Sequence, residues 1–275
     1  FPMIQVQKQS DKYFIYSKAD WFRRGVAVRA PGTRAARGDY SLTTSSYVTV
    51  ERAIAKQVPN EVIDNADSPL QPLRDATEWT TSQLFLEVEK QVATDAFGTG
   101  WSSSATPGTL WSNDTATPIE DVETGKNTIS STIGREANAG VIGRGLWRYL
   151  KQHSEIVDRI KYSAGPNSPA IVTLQAVAAL FELQELLVGR QIENTGKEGG
   201  TDTLAYIWGL HMLVFYRTSG PSLMVPNAGY ILTHQSREVS RFIEDQERAQ
   251  VVEARMSWTE LLTATDAGYL IKSAA

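Results

Sequence analysis

Along much of this chain apolar residues recur with a period of two, and one long stretch reads unambiguously as an amphipathic helix instead. Over residues 75–97, Phe85, Val88, Val92 and Ala96 recur at spacings of three or four, with Leu86, Ala93 and Phe97 beside them. That is the stripe of an amphipathic helix. Asp75 with Glu78 three residues on reads as a capping box, Pro72 stands just ahead of it, and Gly98 is placed to take the left-handed turn that ends a helix. At ~1.5 Å per residue this helix is a rod of roughly 34 Å, so something must lie along it.

Ahead of the helix, residues 1–12 carry few apolar side chains and no helical period, which predicts an extended arm. From 13 to 50 the period is two. Val26, Val28 and Ala30 alternate with Ala27 and Arg29, and Tyr40, Leu42, Val48 and Val50 share a face on the return. PGTRAARG lies between them as a turn, so the pattern predicts a long two-stranded hairpin. An isolated hairpin is marginal in water. It therefore packs either on its own domain or on a neighbouring subunit, and the alternation leaves both open. Residues 51–73, with Pro59, Pro69 and Pro72, read as a short element and an irregular connector.

Beyond Gly98 a Ser-, Thr-, Gly- and Pro-rich stretch contains Trp101 and Trp111, which predicts an ordered loop anchored by both rings. Residues 119–133 read as a helix with Glu120, Asp121 and Glu123 in its first turn, weakened by Gly125. A buried strand follows at 139–143, then a helix over 146–153 and a second amphipathic turn through Ile156, Val157 and Ile160. Helix over 171–183, strand over 185–188, a glycine-bearing loop, and strands over 211–216 and 229–233 come next, the last two separated by SGPSLMVPNA. From about Arg237 the chain has long strand character, with Val252, Ala254, Met256, Trp258 and Leu262 alternating with polar residues. Asp266 and Gly268 turn the chain into a terminal apolar run, Tyr269, Leu270 and Ile271. The sum is an α+β chain without solenoid repeats.

Composition changes this picture little. The 275 residues are 41% hydrophobic and 21% charged, an ordinary globular balance. A net charge of -4 gives no global footprint for nucleic acid, although Arg23, Arg24, Arg29, Arg34 and Arg37 form one basic cluster at the hairpin tip. With no cysteine there is neither a disulfide framework nor a thiolate metal site, and a reducing cytoplasm fits that most simply. No apolar run reaches the ~18 residues of a membrane span, and the first residues lack a signal-peptide pattern. The sequence starts at Phe1 rather than Met, which fits either an upstream segment removed by processing or a later numbering origin.

Catalytic constellations are missing. His153, His211 and His234 are far apart in sequence and show no zincin spacing, so they read as structural residues. AGVIGRG at 139–145 groups Gly140, Gly143 and Gly145 after a strand, but in the reverse order to a dinucleotide fingerprint and without the acidic ribose partner. GKEGG at 196–200 lacks the Lys-Ser/Thr pair of a phosphate loop, and there is no GxSxG elbow. No catalytic, cofactor or metal residue is assigned.

Residues 137–162, ANAGVIGRGLWRYLKQHSEIVDRIKY, resemble the major capsid proteins of tailed bacteriophages with the Hong Kong 97-type fold. Asn138, Trp147, Leu150, His153, Ile156, Asp158, Ile160 and Lys161 fit that family's pattern, with Ser154 where proline is usual. ELLVGRQIENT at 185–195, Trp208 and Gly209 before a strand, and DAGYLI at 266–271 are similar to further family segments.

The resemblance implies an α+β Hong Kong 97-type architecture. Its parts would be an N-terminal arm (1–12), an extended β-hairpin loop (13–58) and a peripheral domain (59–118) with a spine helix (75–97). An axial domain (119–235), returning peripheral strands (236–265) and a terminal strand in the axial domain (266–275) would complete it. It implies a structural, non-enzymatic protein that self-assembles into hexamers and pentamers of an icosahedral head enclosing double-stranded DNA without sequence-specific binding. Such a protein is located in the virion, assembled in the host cytoplasm, and has scaffolding, portal and decoration proteins as candidate partners. No cofactor and no membrane are implied. Inter-subunit contacts are expected at Trp21, Arg23, Arg24, Arg29, Arg34, Arg37 and Tyr40. Some relatives cross-link through a lysine on the extended loop. Here the tip carries arginines, with Lys18 and Lys56 only at the base, and a guanidinium does not readily become a nucleophile, so no such cross-link is expected. Alternatives are an encapsulin-type compartment shell and, more distantly, a nucleotide-binding enzyme using 139–145.

Overall fold

The computed structural model describes residues 1–16, 18–164, 171–221 and 225–275. In chain order the first half holds β1 (Met3–Gln5), β2 (Ser10–Tyr16), α1 (Lys18–Trp21), β3 (Leu42–Val48), β4 (Val50–Pro59), α2 (Asn60–Asp64), α3 (Pro72–Ala96), β5 (Ser103–Ala105), α4 (Pro118–Ile133) and β6 (Ala139–Gly143). The second half holds α5 (Arg144–Gln152), α6 (Ser154–Ala164), α7 (Leu174–Leu180), β7 (Glu185–Gly189), β8 (Ile192–Asn194), β9 (Leu204–Tyr206), β10 (Met212–Phe215), β11 (Gly229–Glu244), β12 (Ala249–Leu262), a 3₁₀ turn (Thr265–Ala267) and β13 (Gly268–Ile271).

The long helix begins three residues earlier than the capping-box reading. Pro72 occupies its first turn, where the missing N–H costs nothing, Gln71 is the N-cap, and Asp75 lies inside the first turn without capping it. The helix ends on Phe97 with φ -104°, so Gly98 is not a left-handed cap. Glycine is required there for a different reason: a Cβ would sit 2.8 Å from the Thr94 carbonyl oxygen. The buried face is also rotated from the expected stripe. Ala76, Thr80, Leu84, Val88, Ala93 and Ala96 are buried, while Phe85 is exposed under the guanidinium of Arg237, 5.1 Å from its ring centroid.

What lies along α3 is a four-stranded sheet in the order β1-β11-β12-β4. Leu84 and Val88 pack with Ile231, Ala254, Met256 and Trp258, and Ala76 packs with Val58 and Val252. The alternation read in β12 is therefore the helix-facing set. Two strands read separately, 229–233 and the run from about Arg237, are one long strand with register shifts between Thr233 and Glu238. Residues 50–59, read as hairpin base and short element, form a full edge strand, pairing Val50 with Trp258 through Pro59 with Ala249. The first residues form a short parallel strand on β11, Met3 opposite Ile231, so the arm's partner lies in its own chain.

The second layer is a mixed five-stranded sheet, β5-β13-β10-β6-β7. β6, β10 and β13 are buried throughout, as expected for strands covered on both faces. Trp101 and Trp111 are both buried, as the loop reading predicts. The Trp101 indole N–H donates to the Ala96 carbonyl at 2.8 Å and that of Trp111 to the Asp121 carboxylate at 2.7 Å. Gly125 in α4 is there for contact: a Cβ would meet the Tyr269 ring at 2.7 Å. α4 ends on Gly134 at φ +67°, a left-handed cap. The expected helix over 171–183 is shorter, Leu174–Leu180, because the Thr173 side chain caps it by accepting from the Ala176 N–H at 3.1 Å. The glycine-bearing loop after β7 contains the small hairpin β8–β9, stapled by the Asn194 side chain to Asp202, Thr203 and Gly196. Of the SGPSLMVPNA segment, residues 222–224 lie outside the described residues.

Candidate assembly surfaces

The hairpin forms only at its base. β2 and β3 pair from Ser10 opposite Val48 to Tyr16 opposite Leu42. Beyond that, α1 is one turn and residues 22–41 carry no strand ladder, so the strand expected over 26–30 is not formed. Val26 and Val28 are 99% and 103% exposed: with no surface to pack against, their alternation has nothing to order it.

The base is held in three ways. The Asp20 carboxylate accepts from the Ser41 N–H at 3.0 Å and its hydroxyl at 2.6 Å, which closes the loop on itself. Lys18 forms an ion pair with Asp266 of the body. The Phe22 ring lies against Gly134, so close that a Cβ there would be 3.3 Å away. The Lys18 hydrogen bond, joined by one from Ser102, holds the Asp266 carboxyl below its ordinary pKa. Between hairpin and body remains a groove of about 780 Å³, with Tyr13, Ile15, Trp21, Phe22, Tyr230 and Leu261 among its walls.

All seven residues expected at inter-subunit contacts lie on this one projection. Trp21 ends α1, Tyr40 is on the return, and Arg23, Arg24, Arg29, Arg34 and Arg37 are exposed along the segment between. None of the five arginines forms an ion pair among the described residues. Two more apolar surfaces escaped the sequence pattern. One is the outer part of β11 with Val239, Phe242 and Ile243; the other surrounds β8–β9, where Leu187, Ile192, Leu204 and Tyr206 are exposed. Their residues sit in strands read as ordinary sheet or loop, where only the missing neighbour marks them.

Two of the three histidines take structural roles, while His234 Nδ1 is buried without a hydrogen-bond partner among the described residues. His153 Nδ1 accepts from the Glu155 N–H at 3.2 Å and Nε2 faces the Asn113 carbonyl at 3.1 Å, a contact it makes as the N–H tautomer. His211 Nδ1 accepts from the Ser273 N–H at 2.9 Å, and burial, then Lys272, lower its pKa. The glycines of AGVIGRG pack against backbone: a Cβ on Gly143 would lie 2.0 Å from the Gly209 carbonyl oxygen, which leaves no phosphate cradle. No group of three or more His, Asp or Glu side chains converges among the described residues.

No protein-family model matches the chain. The major capsid protein of Pseudomonas phage JBD67 is 26% identical over 282 residues, covering 99% of this chain and 89% of that protein. The major capsid protein of Burkholderia phage BcepMu is 25% identical, covering 98% and 88%. This is a homologue of the phage major capsid proteins. Its fold is of the Hong Kong 97 type. A solved phage-related protein from Bordetella bronchiseptica RB50 superposes with a TM-score of 0.74 at 23% identity, covering 100% of this chain and 90% of that one. The mature capsid of bacteriophage PhiM1 (TM-score 0.59, 98% and 84% covered) and a virus-like particle from Pyrococcus furiosus (0.61, 98% and 89%) share the fold at 10% identity.

Proposed function

We propose that the chain is the shell subunit of a phage head, assembling as hexamers and pentamers around packaged double-stranded DNA. One physical observation carries this reading. The chain exposes 16914 Å², whereas a compact monomer of its 30.3 kDa would expose only ~11,800 Å². Such an excess belongs to a subunit whose projections are buried by its neighbours. The projection is basic and apolar at once, through five arginines, Val26, Val28, Trp21 and Tyr40, a composition suited to protein contacts. The chain as a whole, at a net charge of -4, has no global basic surface for DNA. Portal, scaffolding and decoration proteins complete the particle in this reading, and the five arginines meet carboxylates of adjacent subunits.

Expression of the chain and electron microscopy of the purified material test it. Closed shells are the expected outcome, and monomers under all assembly conditions would overturn it. A variant lacking residues 22–38 should fold and remain unassembled. The likeness to the Pyrococcus furiosus particle favours a second reading, a compartment shell enclosing protein cargo. Particles that package DNA in an infected host decide for the first.

A further inference from the structure

The groove between the hairpin base and the body has a chemistry of its own. Tyr13, Trp21 and Phe22 line it from the hairpin side, and Ile133, Tyr230 and Leu261 from the body. At about 780 Å³ it has the size and the largely apolar, partly aromatic lining of a small-molecule site.

Its charges are one-sided. The charged residues around it are Lys12, Lys18, Arg135 and Asp266, three cations to one carboxylate in a chain whose net charge is -4. The Asp266 carboxylate is taken by Lys18. Neutral polar side chains of the body wall are engaged as well. Asn227 Nδ2 donates to the Gly229 carbonyl at 2.7 Å and its Oδ1 accepts from the Thr218 N–H at 3.0 Å, while the Thr263 hydroxyl donates to the Asn227 carbonyl at 2.6 Å. Lys12 and Arg135 have no carboxylate partner among the described residues, and the Arg135 guanidinium faces only the Tyr216 ring, 5.8 Å from its centroid. Two cations, one on each wall, therefore frame an apolar groove that supplies no anion to meet them.

We propose that this groove binds a soluble aromatic anion, a small ring system carrying a sulfonate, carboxylate or phosphate, with its rings among Trp21, Phe22 and Tyr230 and its charge toward Lys12 and Arg135. Rings gain from offset and edge-on contact with aromatic neighbours beyond the area they bury. A guanidinium and an ammonium give an oxyanion charge-assisted hydrogen bonds. A neutral molecule leaves both cations unpaired, and a cationic one meets them as like charges. The two walls face one another, which suits a small molecule and not a membrane surface. Such an occupant touches hairpin and body together, so it ties down the base of the projection as the Lys18–Asp266 pair does. The inference goes beyond the shell reading and does not depend on it, because one unassembled chain contains the whole groove.

The probe is 8-anilinonaphthalene-1-sulfonate, titrated by fluorescence into the intact, unassembled chain, with N-phenyl-1-naphthylamine as the same ring system without the charge. One saturable site per chain is expected, binding the sulfonate about tenfold or more tighter than the neutral amine, the scale of one charge-assisted hydrogen bond. Lys12→Gln and Arg135→Gln together should weaken the sulfonate by about the same factor, leave the neutral amine unchanged and keep the thermal midpoint of the parent. Ile15→Trp, which narrows the groove from the hairpin wall, should weaken both probes. The bound sulfonate should also slow tryptic cleavage after Lys18 several-fold in the parent and not in the double variant. Equal affinity for the two probes would overturn the anion, and undiminished sulfonate binding by either variant would overturn the site. Exposed apolar residues elsewhere attract such dyes, so Val239, Phe242 and Ile243 are changed to Ser as a control. Dye binding lost in that control, or lost from the parent as the chain is concentrated, places the dye on outer β11 or a second copy in the groove, and either result also overturns the inference.

Discussion

Lys18 and Asp266, 248 positions apart, meet as an ion pair that fastens the base of the loop to the body. Both side chains are partly exposed, so the pair contributes under ~1 kcal/mol to folding. Its effect is local. Because the folded pKa of Asp266 is depressed, the contribution is present above the ordinary carboxylate pKa and is lost as pH falls through the depressed value. Asp266→Asn should leave the unfolding midpoint nearly unchanged at pH 7 while speeding tryptic cleavage after Lys18 several-fold. Cleavage after Arg29 and Arg34, already exposed, should not change, and equal rates at Lys18 would contradict the fastening role.

Adjacent residues on the long helix α3 should behave oppositely. Leu84 is 3% exposed against the sheet and Phe85 is 47% exposed. Leu84→Ala should cost about 2–5 kcal/mol in urea denaturation. Phe85→Ala, which forfeits an exposed ring and its contact with Arg237, should cost under ~1 kcal/mol.

Close backbone packing makes a third contrast. Gly143→Ala drives a methyl into the Gly209 carbonyl, and Gly189→Ala into the Trp208 ring at 2.1 Å. Each should cost more than ~1–3 kcal/mol and lower the yield of soluble protein. Gly108→Ala has nothing within 4 Å and should fold like the parent.

Glu260 offers a stabilising substitution. Burial raises its pKa, and the nearby Asp95, itself raised by burial, pushes the same way, against the hydrogen bond from the Trp258 indole and the pull of Arg52. A raised carboxyl pKa means the folded state holds the proton more tightly. Stability from this group therefore falls as pH rises from the ordinary value through the raised one, and the penalty persists at neutral pH. Glu260→Gln keeps an acceptor for the indole N–H, 2.7 Å away, and removes the charge. It should raise the thermal midpoint at pH 7, by under about 2 kcal/mol in free energy, and flatten its dependence between pH 4 and 7. A midpoint unchanged or lowered at pH 7 would sink this account.

The sequence was legible where a segment's pattern answers to its own chain. The β12 alternation, the buried 139–143 strand and the anchoring of Trp101 and Trp111 all follow from contacts inside one subunit. It misled where geometry depends on a neighbouring backbone: Gly98 and Gly125 look like a cap and a helix breaker, and are close approaches. Pro72 read as standing just ahead of the helix and is a first-turn residue. Val26 and Val28 carry a strand pattern that one subunit gives no sheet to satisfy. The basic projection was visible as five arginines, whereas the bare edge at Phe242 was not, because an unfilled position leaves no mark in a one-dimensional pattern.

The order of strands also sets a clock on synthesis. β13, made last, lies between β5 and β10 inside the five-stranded sheet, and β1, made first, waits for β11. Neither sheet can close until residues near 271 and 262 have left the ribosome, at ~5–20 residues per second. A nascent chain thus carries the exposed 22–41 projection long before the sheets that complete its body can form.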